Sequence, residues 1–205
     1  MLYWFTQISL GLLLKVLFRI KVVGLDNIPE TGAFLLASNH RSYLDPILIS
    51  ILTYRKLFFL GKKELFTNTL FARILKGINV IPLSREGLDR AALKEALKAL
   101  HKRKGLVVFP EGTRSLDGRL GAGKGGVAML SIGGKVPVIP VFVKGSEIAL
   151  PQSADFIRAG ARIKVIFGKK ITPPIVTHRA DKKLAYQEFT DKIMQEIAGL
   201  EKRFA

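Results

Sequence analysis

One histidine and one aspartate lie five positions apart in the segment NHRSYLDP, residues 39–46. The segment follows the apolar run AFLLAS, which predicts a buried strand, and Asp45 and Pro46 are residue types that begin helices. A carboxylate at a helix start can accept a hydrogen bond from one imidazole nitrogen and leave the other nitrogen free to take a proton from an alcohol. His40 and Asp45 are therefore a candidate general-base pair; the alternative is an ordinary helix cap beside an ordinary loop histidine.

A second polar segment, FPEGTRSLDG at residues 109–118, follows the apolar run GLVVF. Gly112 would let the backbone turn tightly between Glu111 and the adjacent Thr113 and Arg114. A guanidinium beside backbone N–H groups is a good phosphate ligand, so the segment is a candidate phosphate site. The alternative is a β-turn with an exposed Glu–Arg pair, which would contribute little to stability.

Two further predicted strands are followed by basic residues. The run KLFFL precedes Lys62, and the run NVIPL precedes Arg85. Because ligands of open α/β sheets bind outside the carboxyl ends of the strands, we expect these cations to lie near the histidine and the second segment. Four strand ends together would supply a base, its carboxylate and three cations.

Patterns for other kinds of chemistry are incomplete. GRLGAGKG at residues 118–125 is close to a phosphate-binding P-loop, but Gly125 stands where a hydroxyl would hold Mg²⁺. The sequence has no G-x-S-x-G turn, which argues against a serine hydrolase. His101 and His178 lie in basic segments, where a histidine is usually solvated. His40 is therefore the candidate base.

The composition limits both the chemistry and the partners. Lysine and arginine total 33 against 16 acidic residues, a formal net charge of +17, and such an excess indicates an anionic partner: nucleic acid, acidic lipid headgroups or phosphorylated substrates. A hydrophobic content of 48% and a mean hydropathy of +0.25 are high for so basic a chain, which favours a membrane surface. The chain has no cysteine, so thiolate metal sites and a cysteine nucleophile are excluded.

An apolar segment over residues 2–20 predicts an N-terminal helix. Its first charge is Lys15, so the uncharged stretch is shorter than the roughly 20 residues that span a bilayer. Polar or small residues recur at every fourth position: Gln7, Gly11, Lys15 and Arg19. On a helix they form one narrow stripe. We predict an amphipathic helix over residues 1–20 that associates with a membrane without crossing it; the alternative is a core helix of the same domain.

The rest of the chain alternates between short apolar runs and helical periods. Strands are predicted over residues 20–24, 33–38, 56–60, 78–83, 105–109, 138–143 and 162–167. Helices are predicted over residues 45–53, 63–76, 87–103, 124–132 and 181–203. Such alternation predicts one α/β domain, over residues 21–205, with a mostly parallel sheet flanked by helices.

Taken together, these segments resemble the glycerolipid acyltransferase family, whose best-known members are 1-acyl-sn-glycerol-3-phosphate acyltransferases. His40 and Asp45 match the family's H-x4-D pattern, and FPEGTRS at residues 109–115 matches its third block without a gap. VPVIPV at residues 136–141 matches its proline block, and residues 62–65 resemble a K-x-E-L element. The resemblance covers about residues 20–170 in the family's order, and the combination of blocks is far more specific than any one alone.

The second family block is the imperfect match. Arg85 is present with Pro82 before it, but Asn79 occupies the usual glycine position, and Gly77 lies two residues earlier. This departure concerns the block that fits the acceptor's headgroup. It does not affect the resemblance to the family.

The resemblance implies a glycerol-3-phosphate acyltransferase-like α/β fold and a role for each matched residue. His40 would be the general base for the acceptor hydroxyl, and Asp45 would orient it. The cations Lys62, Arg85 and Arg114 would bind the acceptor's phosphate. The residues Glu111, Gly112 and Thr113 would shape that phosphate site. Transfer would be direct, without an acyl-enzyme, a metal or a cofactor.

The resulting expectation is an acyltransferase that moves a fatty acyl group from acyl-CoA or acyl-carrier protein to the free hydroxyl of 1-acyl-glycerol-3-phosphate, giving phosphatidic acid. We expect it at a membrane surface, on the cytoplasmic face of the cell membrane, with no nucleic-acid partner. One alternative is the same chemistry on another acceptor, such as glycerol 3-phosphate or another lysophospholipid. Another is a non-catalytic, basic lipid- or nucleic-acid-binding domain, although the chain lacks basic stretches interleaved with exposed aromatic residues.

Overall fold

The computed structural model describes residues 2–84, 89–152, 154, 156–178 and 180–204. Within them, seven strands form one sheet with the order β1-β7-β6-β2-β5-β3-β4. The strands are β1 (Arg19–Val23), β2 (Phe34–Ser38), β3 (Leu57–Lys62), β4 (Val80–Leu83), β5 (Gly105–Val108), β6 (Val138–Lys144) and β7 (Arg162–Phe167). All neighbouring strands are parallel except β6 and β7. The predicted mostly parallel α/β sheet is confirmed.

Helices cover both faces of this sheet. They are α1 (Leu2–Leu17), α2 (Asp45–Leu52), α3 (Thr69–Gly77), α4 (Arg90–His101), α5 (Gly126–Gly134), α6 (Ser146–Ala149) and α7 (Lys182–Phe204). One core lies between the sheet and α4, α5 and α7, and a second lies between the sheet and α1 and α2. Strands β2 and β5 are buried along their whole length, which explains why their sequences are apolar throughout instead of alternating.

Helix boundaries differ from the prediction where local hydrogen bonds decide them. The helix predicted over residues 63–76 is divided into a 3-10 turn, Lys63–Phe66, and α3. Helix α4 begins later than predicted because Asp89 is its N-cap: the side chain of Asp89 accepts from the N–H of Ala92. Hydrogen bonds from the backbone N–H groups of Ala92 and Ser84 lower the pKa of Asp89. The short α6 was not predicted.

The N-terminal helix both packs on the domain and exposes apolar side chains. Leu14 is buried in the second core, and the amide of Gln7 donates to the hydroxyl of Ser50 at 2.6 Å. Gln7 and Gly11 therefore face α2, whereas Lys15 is exposed. Most of the exposed surface of the helix is apolar. The exposed apolar residues of α1 are Trp4, Ile8, Leu12, Leu13 and Val16. No helix in the described residues combines the length and the hydropathy required to traverse a bilayer.

The predicted helical span of residues 1–20 is too long at its C-terminal end. Helix α1 ends at Leu17, and Arg19 and Ile20 belong to strand β1. The next segment, RIKVV, alternates charged and β-branched residues, which favours a strand with one solvated face. The extrapolation of the four-residue polar repeat to Arg19 was therefore wrong.

Buried side chains pack closely around the first residue of β5, Gly105. A Cβ atom on Gly105 would lie 2.6 Å from Cζ of Phe34 and 2.7 Å from Cδ2 of Leu57. Both neighbours are fully buried, so neither side chain has room to move away. Gly105 thus allows β2, β5 and β3 to pack closely beneath the site described below.

We expect Gly105→Ala to lower the free energy of unfolding by about 1–3 kcal/mol, because the added methyl group overpacks the core. The measurement is urea denaturation followed by circular dichroism. Gly125→Ala is the matched control, since a Cβ at Gly125 meets nothing within 4 Å. Equal denaturation midpoints for the two variants would contradict this account of the sheet.

Candidate active site

The predicted histidine and aspartate are in direct contact. His40 follows β2, Asp45 is the first residue of α2, and Nδ1 of His40 lies 2.9 Å from Oδ2 of Asp45. Asp45 is fully buried, whereas the His40 side chain keeps 17% of its surface exposed. Nε2 of His40 has no hydrogen-bond partner among the described residues. The imidazole thus reaches the surface through the nitrogen that a substrate would need.

Three other donors fix the position of the Asp45 carboxylate. Backbone N–H groups of Arg41 and Ser42 donate to Oδ2 at 2.7 and 2.8 Å, and the hydroxyl of Ser146 donates to Oδ1 at 2.5 Å. A carboxylate accepting these bonds has no proton to give, so Nδ1 of His40 is the donor in the remaining contact. The tautomer with an unprotonated Nε2, which a general base requires, follows from this arrangement.

The second predicted segment holds the histidine in place. The ring of Phe109 stacks on the His40 ring with centroids 4.0 Å apart. Glu111 is buried: Oε1 accepts from the N–H of His40 and Oε2 from the N–H of Gly121, both at 2.9 Å. The N–H of Ser115 donates to the carbonyl of His40 at 2.8 Å. The alternative of an exposed Glu–Arg turn is therefore wrong. Glu111 is buried and accepts hydrogen bonds from backbone amides, one of them that of His40 itself.

The guanidinium of Arg114 is oriented by an aromatic ring of the His40 loop. Its guanidinium carbon is 3.5 Å from the centroid of Tyr43, which is three positions after His40 in sequence. Nη1 of Arg114 is buried and has no hydrogen-bond partner among the described residues. A cation that stacks on a ring and pairs with no carboxylate of the described residues is well suited to bind an oxyanion. Tyr43 is a site residue that the sequence analysis missed.

Within the described residues, the structure shows no direct contact between the other predicted site residues and the His40–Asp45 pair. Lys62 ends β3, which pairs with β5, and it has no ion-pair or hydrogen-bond partner in the part of the chain that the structure describes. Gly112 has φ 70°, and the side chain of Lys124 passes so close that a Cβ on Gly112 would lie 3.0 Å from Nζ. Thr113 is exposed. Arg85 lies outside the described residues.

Distant elements stabilise the catalytic loop through contacts that sequence alone did not suggest. The side-chain amide of Asn39 donates to the carbonyl of Val143 and accepts from its N–H, at 2.9 and 2.7 Å. The buried guanidinium of Arg41 pairs with Glu201 on α7 at 2.7 Å and lies over the ring of Phe142. The adjacency of Asn39 and Arg41 to His40 was the only sequence signal for these contacts. The loop is thus tied to β6 and to α7.

Comparisons with known proteins agree on the family. A sequence model of the family described as Acyltransferase matches residues 19–144. A 1-acyl-sn-glycerol-3-phosphate acyltransferase of Bacillus subtilis is 28% identical over 98% of each chain. The chloroplastic 1-acyl-sn-glycerol-3-phosphate acyltransferase LPAT1 of Arabidopsis thaliana is 31% identical over 75% of this chain, which spans only 44% of that relative.

A solved structure has the same fold. The crystal structure of the 1-acyl-sn-glycerophosphate acyltransferase PlsC from Thermotoga maritima superimposes with a TM-score of 0.76 at 22% identity. The alignment covers 99% of this chain and 83% of that chain. At this identity the likeness concerns the fold.

We expect His40→Ala to lower the rate of acyl transfer by about 10²-fold or more, because the proton acceptor for the attacking hydroxyl is lost. Asp45→Asn should also lower it, since an amide can no longer fix the tautomer. His101→Ala is the matched control, because His101 is exposed on α4. The measurement is initial rate together with circular dichroism, and a folded His40→Ala variant with wild-type rate would eliminate the imidazole as base.

Proposed function

The chain belongs to the Acyltransferase family, and we propose that it transfers a fatty acyl group from a thioester to the free hydroxyl of 1-acyl-glycerol-3-phosphate, giving phosphatidic acid. The observation that carries this proposal is the contact of His40 Nδ1 with buried Asp45, which leaves Nε2 free, in a loop where the ring of Tyr43 stacks on Arg114. The site thus combines a base for an alcohol with a cation for a phosphate. The names of the relatives from Bacillus subtilis and Arabidopsis thaliana support this acceptor.

In the proposed reaction, Nε2 of His40 takes the hydroxyl proton while the alkoxide oxygen attacks the thioester carbonyl carbon. The new C–O bond forms, the C–S bond breaks, and the departing sulfur recovers the proton from the imidazolium, giving an ester and a free thiol. Asp45 stabilises the transient imidazolium through the 2.9 Å contact. General-base catalysis of this kind contributes about 10²–10⁴-fold, or about 3–5 kcal/mol of barrier, so substrate positioning must supply much of the rest.

Phosphate binding is the proposed source of that positioning. Arg114 would contact the phosphate through its guanidinium, which pairs with no carboxylate of the described residues, and Lys62 and Arg85 would add positive charge. Gly112 and Thr113 would contribute backbone and hydroxyl groups at the rim. We propose direct transfer without an acyl-enzyme, a metal or an organic cofactor, as the family resemblance implies, and the chain has no cysteine that could be acylated.

We further propose that the protein works at the cytoplasmic face of a membrane, where a lipid acceptor and its product reside. The exposed apolar surface of α1, which includes Ile8, Leu12 and Val16, suits insertion into the interface. The formal charge of +17 would add attraction to anionic headgroups. The donor is acyl-CoA or acyl-carrier protein.

The rival acceptors gained their support from Asn79 in place of the family's glycine. Asn79 has φ 64°, a left-handed conformation that asparagine tolerates better than most residues. Its side-chain amide donates to the carbonyl of Leu57 at 3.1 Å. Since asparagine adopts a backbone conformation that a glycine would also adopt, the substitution gives no reason for a different acceptor. A non-catalytic binding domain would not need the ordered His40–Asp45 pair.

One assay tests the proposed reaction directly. The purified protein is incubated with palmitoyl-CoA and 1-acyl-glycerol-3-phosphate, and free thiol is measured with a chromogenic reagent, which reports only product because the protein has no thiol of its own. We expect stoichiometric thiol and phosphatidic acid. If palmitoyl-CoA gives none, palmitoyl-carrier protein is tried before the function is rejected.

Arg114→Ala should raise the apparent KM for the acceptor about tenfold or more, because a charge-assisted hydrogen bond to phosphate is worth about 1.5–3 kcal/mol. Arg119→Ala is the matched control, since Arg119 is exposed on the same loop. Initial rates are compared for 1-acyl-glycerol-3-phosphate and for 1-acyl-glycerol, which lacks the phosphate. Equal acylation of the two acceptors by the wild-type protein would refute the assignment of a phosphate site.

A further inference from the structure

Two strands at one end of the sheet begin with the same three residues. Strand β1 begins Arg19-Ile20-Lys21 and strand β7 begins Arg162-Ile163-Lys164. The parallel register pairs Arg19 with Arg162 and Lys21 with Lys164, and the antiparallel register of β6 pairs Lys144 with Lys164. We call these five residues, Arg19, Lys21, Lys144, Arg162 and Lys164, the cation array.

All members of the cation array point to one face of the sheet. Register partners share a face, and side chains two apart along a strand do as well. The alternate residues Ile20, Ile163 and Val165 lie in or against the core beneath α1, so the cations point away from α1. Four members are exposed, and Lys164 is half-buried. The result is an open sheet surface whose side chains are all positive.

This arrangement is unfavourable for the protein alone. Like charges directly opposite on neighbouring strands are destabilising. In the described part of the chain, no carboxylate lies within ion-pair distance of Arg19, Lys21, Lys144 or Arg162. Glu147, three positions after Lys144, accepts from the N–H of Gly145, and Glu201 pairs with Arg41. A polyanionic partner would offset the repulsion.

The cation array also borders the active site. Lys144 ends β6, and two residues later Ser146 donates to the catalytic Asp45. Phe142, two residues before Lys144 and on the same face, lies under the guanidinium of Arg41. A partner seated on the array would therefore have an edge next to His40.

We propose that the cation array is the docking surface for an acidic protein that carries the acyl thioester, an inference that rests on the proposed function and selects its donor. Three adjacent strands about 4.8 Å apart present a flat surface of about 10 Å, which suits the side of an acidic helix better than the concave site a nucleotide requires. A bilayer fits less well, because the exposed apolar side chains of α1, such as Leu12 and Val16, belong to the opposite face of the sheet. Complementary charge would speed encounter and orient the carrier.

The test neutralises four cations together. The variant carries Arg19→Gln, Lys21→Gln, Lys144→Gln and Arg162→Gln, none of which contacts His40 or Asp45. The control carries the same loss of charge at other exposed positions: Lys94→Gln, Lys102→Gln, Lys169→Gln and Lys170→Gln. Both are assayed at low salt with palmitoyl-carrier protein and with palmitoyl-CoA as donors, and both are sedimented with phosphatidylglycerol vesicles.

For the array variant we expect the KM for palmitoyl-carrier protein to rise about tenfold. Each of the four exposed charges contributes only a small, screened attraction, and the variant removes all four. The KM for palmitoyl-CoA and the binding to vesicles should stay within twofold of wild type, and the control should resemble wild type throughout. The difference should shrink at 0.5 M salt, because screening weakens exposed charge pairs. The melting temperature should not fall, since neutralisation relieves repulsion within the array.

Four outcomes would overturn the inference. Equal loss with both donors would assign the array to a part of the reaction common to both, loss of vesicle binding would assign it to the membrane, and no change would leave it without a role in docking. A wild-type protein that uses only palmitoyl-CoA would also overturn it. A wild-type protein inactive with either donor would instead defeat the proposed function itself.

Discussion

The buried carboxylate of Asp45 is the constraint on which the rest of the site depends. A charge without access to water must be satisfied by hydrogen bonds, and here the donors come from the loop backbone, from the His40 ring and from Ser146 on another element. These hydrogen bonds form only when three segments are correctly positioned relative to one another: the end of β2, the start of α2 and the turn after β6. The orientation of the base is a consequence of satisfying that carboxylate.

The fold separates the requirements of the proposed reaction onto different surfaces. The second core and α1 place apolar side chains on one side of the sheet, and the carboxyl edge carries His40 and Arg114. The opposite face, beyond the strands covered by α7, carries the cation array. Tight packing at Gly105 and the ties of Asn39 to Val143 make the sheet a rigid base for that edge. In the proposed reaction, a lipid and a thioester carrier would thus approach His40 without competing for one surface.

The strands and the catalytic pair were predictable because their signals are local. Apolar runs identify the buried strands, and the spacing of His40 and Asp45 places both in one loop. The partners of Glu111 and Arg41 were not predictable, since a carboxylate or a guanidinium can satisfy its hydrogen bonds with many groups and only the folded chain selects them. The misassigned Arg19 has the same origin: its four-residue repeat fitted a helix, and pairing with β7 decided for a strand.

The disposition of the acidic residues explains why cations remain available for ligands. Glu111 and Asp117 each lie three positions from Arg114 in sequence. Both oxygens of Glu111 accept from backbone amides, of His40 and Gly121, and Asp117 accepts from the hydroxyl of Ser115 and the N–H of Arg119. Had Glu111 paired with Arg114, a phosphate would have had to displace a carboxylate from the guanidinium. A ring can orient a cation without neutralising it, and Tyr43 does so here. Glu111 instead holds the backbone of His40, the proposed base, and leaves the guanidinium of Arg114 without a carboxylate partner among the described residues.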